Sequence, residues 1–540
     1  NNDRQPNFRE RFFRRLMRTP IYGATLGGKV PTNLRAAPVG DSPQMANPAV
    51  ADAILQGQLA IAETTQPIDD DVWQCAGPNE KWFAAAHGFV WLGDLLSSGQ
   101  PEAAERALLL VDKWIDSHLG YSKAAWKSDL IGRRLANWVC WAPQLLELGG
   151  PSFRDRFSES VARQIKHLKR IARFELDGAA RITAITGLIA GEAVLSSGDI
   201  SKRSVRILAI ELDRQVHGDG GHGSRSPEIH LTVLSDLILL RNLLNALQIE
   251  VPEVLHNVID RMAPMTRFFR HGDGGFAQFN GGGEADPALI NHVLKTAKSD
   301  GKAPDRAPHT GFERAVAGNM TVIMDAGIPN SHPSLNSFVH AGTLGFEVSI
   351  GKERLIVNCG CRANLDAEWH WASRLTAAHS TVTIADTNSC ELYETGGAAD
   401  KSIAVACDRG EIDGNCWFSA SHDGYEENFG LVHRRRLYVD ASGQDLRGED
   451  TIVGEGIHPY AARFHLHPSV KVALQQNQSS ALLRTASGMG WRFRIGGGRL
   501  DLTDSVYLGG HAMAKRAQQL VIHGETTDAA TTVKWALQPE

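Results

Sequence analysis

Within the nine residues from His222 to His230 the chain places His222, Arg225, Glu228 and His230 between the glycines of DGGHG and the apolar run HLTVLSDLILL. Imidazole carries protons near neutral pH, and a guanidinium pairs with carboxylates or sulfates. The spacing therefore offers acid–base chemistry on an anionic substrate. His222 and His230 are candidates for proton transfer or orientation, and Arg225 for anion binding. The same stretch also reads as a helix start, with Ser224 or Ser226 as cap, Pro227 in the first turn and Glu228 complementing the helix dipole. That reading accounts for Ser226, Pro227 and Glu228 and leaves His222 and Arg225 unexplained.

Other groups could bind a ligand. In WKSDLIGRRLANW, Arg134 and Trp138 lie one helical turn apart, with Asn137 beside them. An aromatic ring beside a guanidinium suits an acidic sugar, which stacks its C–H face and pairs its acid. Trp371 and Arg374 are candidates of the same kind. Tryptophans also fill the core between helices, which is the plainer account of each one taken alone. The glycine-rich stretch HGDGGFAQFNGGGEAD from His271 lacks the lysine and Ser/Thr of a phosphate loop and reads as a long mobile loop bordering a cleft. His340 and His379 each precede a strand, and Cys359 ends the strand RLIVNCG. Together these three would fit a zinc site, although no close ligand pair accompanies them, and isolated histidines more often satisfy local hydrogen bonds.

The elements that must position these residues fall into two grammars. From about residue 49 to 266 apolar residues recur at helical spacing, in segments such as AAERALLLVDKWIDSHL and HLTVLSDLILLRNLLNAL, punctuated by SSGQPE, LGGPS and LSSGDIS. With no repeat signature visible, a closed ring of helical hairpins, an (α/α) toroid, is expected. After Pro304 short alternating runs such as TLGFEVSIG, STVTIAD and LVHRRRLYVD predict antiparallel strands in a two-sheet sandwich. The expected class is thus multidomain α+β: an extension over 1–48, the toroid over 49–303 and the β-sandwich over 304–540, with a linker at 300–308.

Composition narrows the function. The 540 residues are 42% hydrophobic with a formal net charge of −5, which gives no general attraction to nucleic acid or to an anionic membrane. Seven scattered cysteines, Cys75 among them, do not form a disulfide framework. The basic, amphipathic N-terminal stretch lacks the apolar core of a signal peptide, and no apolar run approaches membrane-spanning length. A soluble protein, cytoplasmic or periplasmic, is expected, with no organic cofactor and a homodimer left open.

Taken in order, WKSDLIGRRLANW, DGGHGSRSPEIH, HAGTLGFEVSIGKERLIVNCG, RLTAAHSTVTIAD, HDGYEENFGLVHRRRLYVD and RFHLHP resemble the heparinase II/III family of polysaccharide lyases over nearly the whole chain. The resemblance implies a toroid followed by a β-sandwich, a substrate cleft between them, and β-elimination on a uronic-acid-containing polysaccharide or oligosaccharide. Such a reaction needs positive charge at the uronate carboxylate, a base for the C5 proton and an acid for the leaving oxygen. His222 and Arg225 match the family's toroid motif, and His340 and His379 its strand-side histidines, which resemble zinc ligands in metal-containing relatives.

There are three departures. Ile229 stands where many of the lyases keep tyrosine, and an earlier asparagine–histidine motif is missing. Asn358 occupies the position of an aspartate ligand, which leaves Cys359 as the alternative third ligand. If the chain is a lyase, proton transfer then falls on His222 or His230, or on a strand-side residue such as Tyr425 or His379, with His222 and Tyr425 favoured. Two other readings stand beside the lyase. One is a hydrolase using Glu228 with Asp129 or Asp219; the other is a relative that binds glycan without cleaving it.

Overall fold

The structure is a computed structural model that describes all residues except 1–7, 20, 29–33, 75–76, 196–199, 330–334, 336–338, 362–365, 394–402 and 511–513; Cys75 therefore lies outside the described residues. The chain divides into two compact units, each assembled from separated stretches. The first comprises Asn1–Gln215, Thr232–Ile259 and Lys295–Lys298, and the second Val216–Leu231, Asp260–Leu294 and Ser299–Glu540.

Among its described residues the first unit is helical, apart from a small antiparallel hairpin, Gln58–Ile61 with Thr64–Pro67, that the apolar periodicity does not announce. Its helices include Pro101–His118, Ser128–Cys140, Ala142–Glu175 and Gly178–Leu195. The LGGPS punctuator falls inside Ala142–Glu175, where Gly150 leaves helical geometry at φ 68° and breaks the helix just before Pro151. WFAAAHGFVWLGDLL likewise forms two helices, Glu80–His87 and Leu92–Leu96. Asn79 caps the first by accepting from the backbone N–H of Trp82, and Phe89 turns the chain at φ 55°.

Ser128–Cys140 and Gly178–Leu195 cross backbone to backbone. A Cβ on Gly187 would stand 2.1 Å from the Gly132 carbonyl oxygen, and one on Gly132 2.4 Å from that of Thr183. Around this crossing the core is aromatic, with Trp82, Trp91, Trp114, Trp126 and Trp138 fully buried. Among the described residues two helices, Gly178–Leu195 and Pro227–Ala246, are long and apolar enough to cross a membrane by length and composition, and most of each is buried within the fold.

The second unit holds two antiparallel sheets, as the alternating runs predict. One runs Lys471–Leu474, Ser480–Arg484, Gly490–Gly496, Thr531–Pro539, Leu446–Val453, Leu431–Val439, Asn415–Tyr425 and Val405–Ile412 in spatial order. The other runs Arg499–Tyr507, Lys515–Glu525, Pro459–Leu466, Glu353–Val357, Phe346–Ile350, Met320–Asp325, Phe312–Ala317 and Arg306–Ala307, with Val382–Ile384 paired to Pro459–Leu466. The inward residues of Leu431–Val439 alternate strictly with outward ones, whereas Met320–Asp325 is buried throughout. A single apolar core containing Phe346, Phe418, Phe464, Phe493 and Trp535 joins residues of both sheets.

Candidate functional site

Asp219 organises the glycine turn. Its carboxylate accepts from the backbone N–H groups of Gly221, His309 and Thr310 and from the Thr310 hydroxyl, at 2.6–3.1 Å. Burial alone would raise its pKa; the Thr310 hydrogen bonds, with those from Gly221 and His309, bring it below the ordinary value. Gly220 is held at φ +88°, where a Cβ would strike the Arg261 carbonyl. The turn delivers His222 into the interior at 1% exposure. Its Nδ1 accepts from the Ser224 backbone N–H at 3.1 Å and lies 2.8 Å from the Ser224 hydroxyl. Burial, then the neighbouring His230 and His217, lowers its pKa to about 3.

Arg225 is the linchpin of this turn. With φ +60° its backbone is left-handed, and its guanidinium pairs with Asp325 and donates to the carbonyls of Thr310, Ile328 and Gly311. It also lies over the Phe312 ring at 4.9 Å. Ser226 O accepts the His230 N–H as helix Pro227–Ala246 begins, but the expected side-chain cap is not formed by Ser226, whose hydroxyl is buried without a hydrogen-bond partner, and the Ser224 hydroxyl accepts from the Ser226 N–H. His230 donates from Nε2 to the Met262 carbonyl at 3.0 Å, with the Thr266 hydroxyl at 2.9 Å. Its pKa falls to about 4 through burial.

The strand-side histidines do meet. His379 Nδ1 donates to the Leu375 carbonyl at 2.8 Å, which leaves Nε2 to accept from His340 Nδ1 at 3.1 Å. Gly342 lies flat against the His379 ring, where a Cβ would come within 2.6 Å. His340 Nε2 is then buried with no hydrogen-bond partner. Desolvation lowers both pKa values, that of His379 to about 4.

The expected third ligand does not join them. Cys359 Sγ faces His465 Nδ1 at 3.5 Å and Ser505 at 3.9 Å, and burial pushes its thiol up to about 12. Asn358 spends its amide on the Gln278 carbonyl and Glu347 and accepts from the Ser380 N–H. Among the described residues no three His, Cys, Asp or Glu side chains converge as metal ligands. The residues present therefore do not fit the zinc that the family resemblance implies: two imidazoles, one neutral amide already engaged and no thiolate.

The remaining candidates are placed in the interior. Tyr425, fully buried, donates to the Val382 carbonyl at 2.8 Å, and burial raises its pKa. Arg374 donates to the carbonyls of Val339 and Tyr393, beside the half-buried Trp371 ring at 5.5 Å. In the first unit Arg134 is fully buried, over the Trp114 ring at 4.0 Å, and donates to Gln164 and to the carbonyls of His87 and Ala125. Asn137 bridges the Gly88 carbonyl and Gln44. Trp138 packs edge-on against Phe89 and Trp114. Arg134, Asn137, Trp138, Arg225 and Arg374 thus hold backbone or core, and none offers its polar atoms at an open surface. A single turn of spacing fixes which residues share a helix face but not whether that face looks inward.

The stretch from His271 is packed rather than loose. Phe276 through Asn280 are buried, and Ala277 N–H donates back to Phe269 O. His271 is clamped between Glu347 at 2.9 Å and the Ser349 hydroxyl at 3.0 Å. Gln278 donates to the Tyr507 hydroxyl, which in turn donates to Glu284. Arg354 binds Asp273 at 2.7 Å and the Phe276 carbonyl. These partners lie far apart in the chain, so only the histidine and the carboxylates of the phrase itself were visible as signals.

Residues 299–536 match the family model described as Heparinase II/III-like, C-terminal. FtsZ-localized protein C of Caulobacter vibrioides is 31% identical over 530 residues, covering 94% of this chain and 90% of that relative. Among solved structures, heparinase III aligns with a TM-score of 0.67 at 13% identity over 86% of this chain and 79% of its own. A mutant of the heparan sulfate lyase HepC from Pedobacter heparinus aligns with a TM-score of 0.64 at 14% identity, over 96% and 87%. At such identities the two structures speak for the fold, a helical part followed by antiparallel sheets. With a family model over its C-terminal half and a curated relative along almost its entire length, the chain belongs to the heparinase II/III-like family.

Proposed function

We propose that this protein works by binding, as a heparinase II/III-type scaffold that holds an acidic glycan without breaking it. The observation that carries this reading is the burial of the proton-transfer candidates, whose hydrogen bonds run to backbone groups and neighbouring side chains. Elimination needs a base within reach of the substrate's C5 proton and a donor for the leaving oxygen. His222 and His230 are neutral, desolvated rings, the first tied to its own turn and the second to the Met262 carbonyl of another helix, and Tyr425 donates its hydroxyl hydrogen bond to a backbone carbonyl. Arg225, the residue suited to a substrate carboxylate, is already neutralised by Asp325. Ile229 adds no proton donor. The hydrolase alternative is weakened because Asp219 spends both oxygens on the turn. The Caulobacter relative is named for its localisation with FtsZ, and that name fits a role in which placement matters more than turnover.

The test incubates the purified protein with chondroitin sulfate, heparan sulfate and polygalacturonate and follows both retention and near-ultraviolet absorbance. Retention without unsaturated uronate is expected. A time-dependent rise in absorbance would overturn the reading in favour of β-elimination on a uronic-acid glycan. That second reading is favoured by one observation, the partnerless Nε2 of His340 beside His379. It requires His340→Ala to abolish the rise.

A further inference from the structure

The outward face of the eight-stranded sheet gathers cations and aromatic rings. A hollow of about 700 Å³ lies on it, with Trp417 and Tyr438 towards one side and Arg436, Arg447, Arg494 and Lys534 across its floor. Strand register puts these residues in rows. Trp417 stands opposite Tyr438, Tyr438 opposite Arg447, Arg447 opposite Ala536 and Ala536 opposite Arg494. A second row runs from Arg436 through Glu449 to Lys534. At the usual strand spacing the first row spans roughly 19 Å.

We propose that this face is a binding surface for an acidic oligosaccharide; the proposal rests on the reading of the protein as a glycan binder. Charge is the first argument. Glu449 lies near both Arg436, at 4.0 Å, and Lys534, at 3.5 Å, and Asp445 pairs with Arg447, while Arg494 has no ion-pair partner among the described residues. Cations thus outnumber acids, and three of them are more than 60% exposed. Shape is the second. A Cβ on Gly410 would fall 1.9 Å from the Trp417 ring, so the indole lies flat on its neighbouring strand with its other face outward. A flat, outward ring beside guanidinium groups stacks the C–H face of a pyranose while its carboxylate or sulfate is paired.

The third argument separates a sugar from a polypeptide. The hollow sits in mid-sheet, where Leu431–Val439, Leu446–Val453 and Thr531–Pro539 are each paired on both sides. No strand edge is open there, so a peptide could not bind by adding a strand and would forgo its main-chain hydrogen bonds.

The experiment titrates size-defined chondroitin sulfate, heparan sulfate and polygalacturonate oligosaccharides into the full chain by calorimetry at low salt. Dextran and polyglutamate serve as comparison ligands. Trp417→Ala and the double variant Arg447→Glu/Arg494→Glu are titrated in parallel, after matching Tm shows that they fold. The expected result is binding of at least one acidic glycan, none of dextran, and at least tenfold weaker binding in both variants. Unchanged affinity in folded variants would overturn the surface and leave the glycan-binding reading standing. No acidic glycan bound by the wild-type chain would overturn both. Polyglutamate bound as tightly as any glycan would overturn the sugar assignment in favour of an acidic polypeptide.

Discussion

At the scale of single residues the buried histidines set the acid response. His222 titrates at about 3 in the folded chain, and His230 and His379 at about 4, against 6.5 in the open. A depressed histidine leaves the folded state with fewer protons than the unfolded one. Its stabilisation is complete above pH 6.5 and is lost as the pH falls from there towards 4. Each such ring adds a slope of up to about 1.4 kcal/mol per pH unit in that window. Urea midpoints measured from pH 7.5 to 4.5 are expected to fall steeply, and His222→Gln to flatten the fall; a flat profile in the wild-type chain would contradict the buried placement. Asn358 offers a second test. With two imidazoles and no carboxylate, the protein is expected to carry well under one equivalent of zinc by elemental analysis. Asn358→Asp, which restores an anionic third donor beside the pair, is expected to raise zinc content towards one equivalent.

At the scale of elements two contacts carry more weight than their size suggests. Gly132 and Gly187 let two helices touch, and Gly187→Ala is expected to cost about 1–3 kcal/mol or more by forcing them apart, read from the denaturant midpoint. Within the sheets Asp450 is buried with Arg435, His433 and Trp535 all bonded to it. Arg435 also reaches the Ser380 carbonyl, next to His379, so this network braces the histidine pair. Asp450→Ala leaves a buried guanidinium unpaired and is expected to cost about 3–5 kcal/mol, measured by chemical denaturation. Much of this layer is legible in the chain itself: strand alternation in LVHRRRLYVD and helical periodicity in LIGRRLANW announce their elements. The glycine crossing and the partners of Asp450 do not, because each depends on a residue distant in sequence. The same holds for the site, where the meeting of His340 with His379 could be anticipated but the retreat of Arg134, Arg225 and Arg374 onto backbone carbonyls could not.

At the scale of the whole molecule much of the ionisable interior holds together stretches that are distant in the chain. The second unit shows this most plainly, since it draws on Val216–Leu231 and Asp260–Leu294 as well as on everything from Ser299. Arg225 neutralises Asp325, His271 meets Glu347, and Gln278 with Glu284 engages Tyr507, each across the gap between those stretches. A fragment cut at residue 299, where the family model begins, would keep Asp325, Glu347 and Tyr507 but lose every one of those partners. It is expected to be insoluble, or to melt without a cooperative transition in calorimetry. The boundary that evolutionary comparison draws along the chain is therefore not a seam along which the protein can be taken apart, and its sheets are heirs to a fold they cannot complete alone.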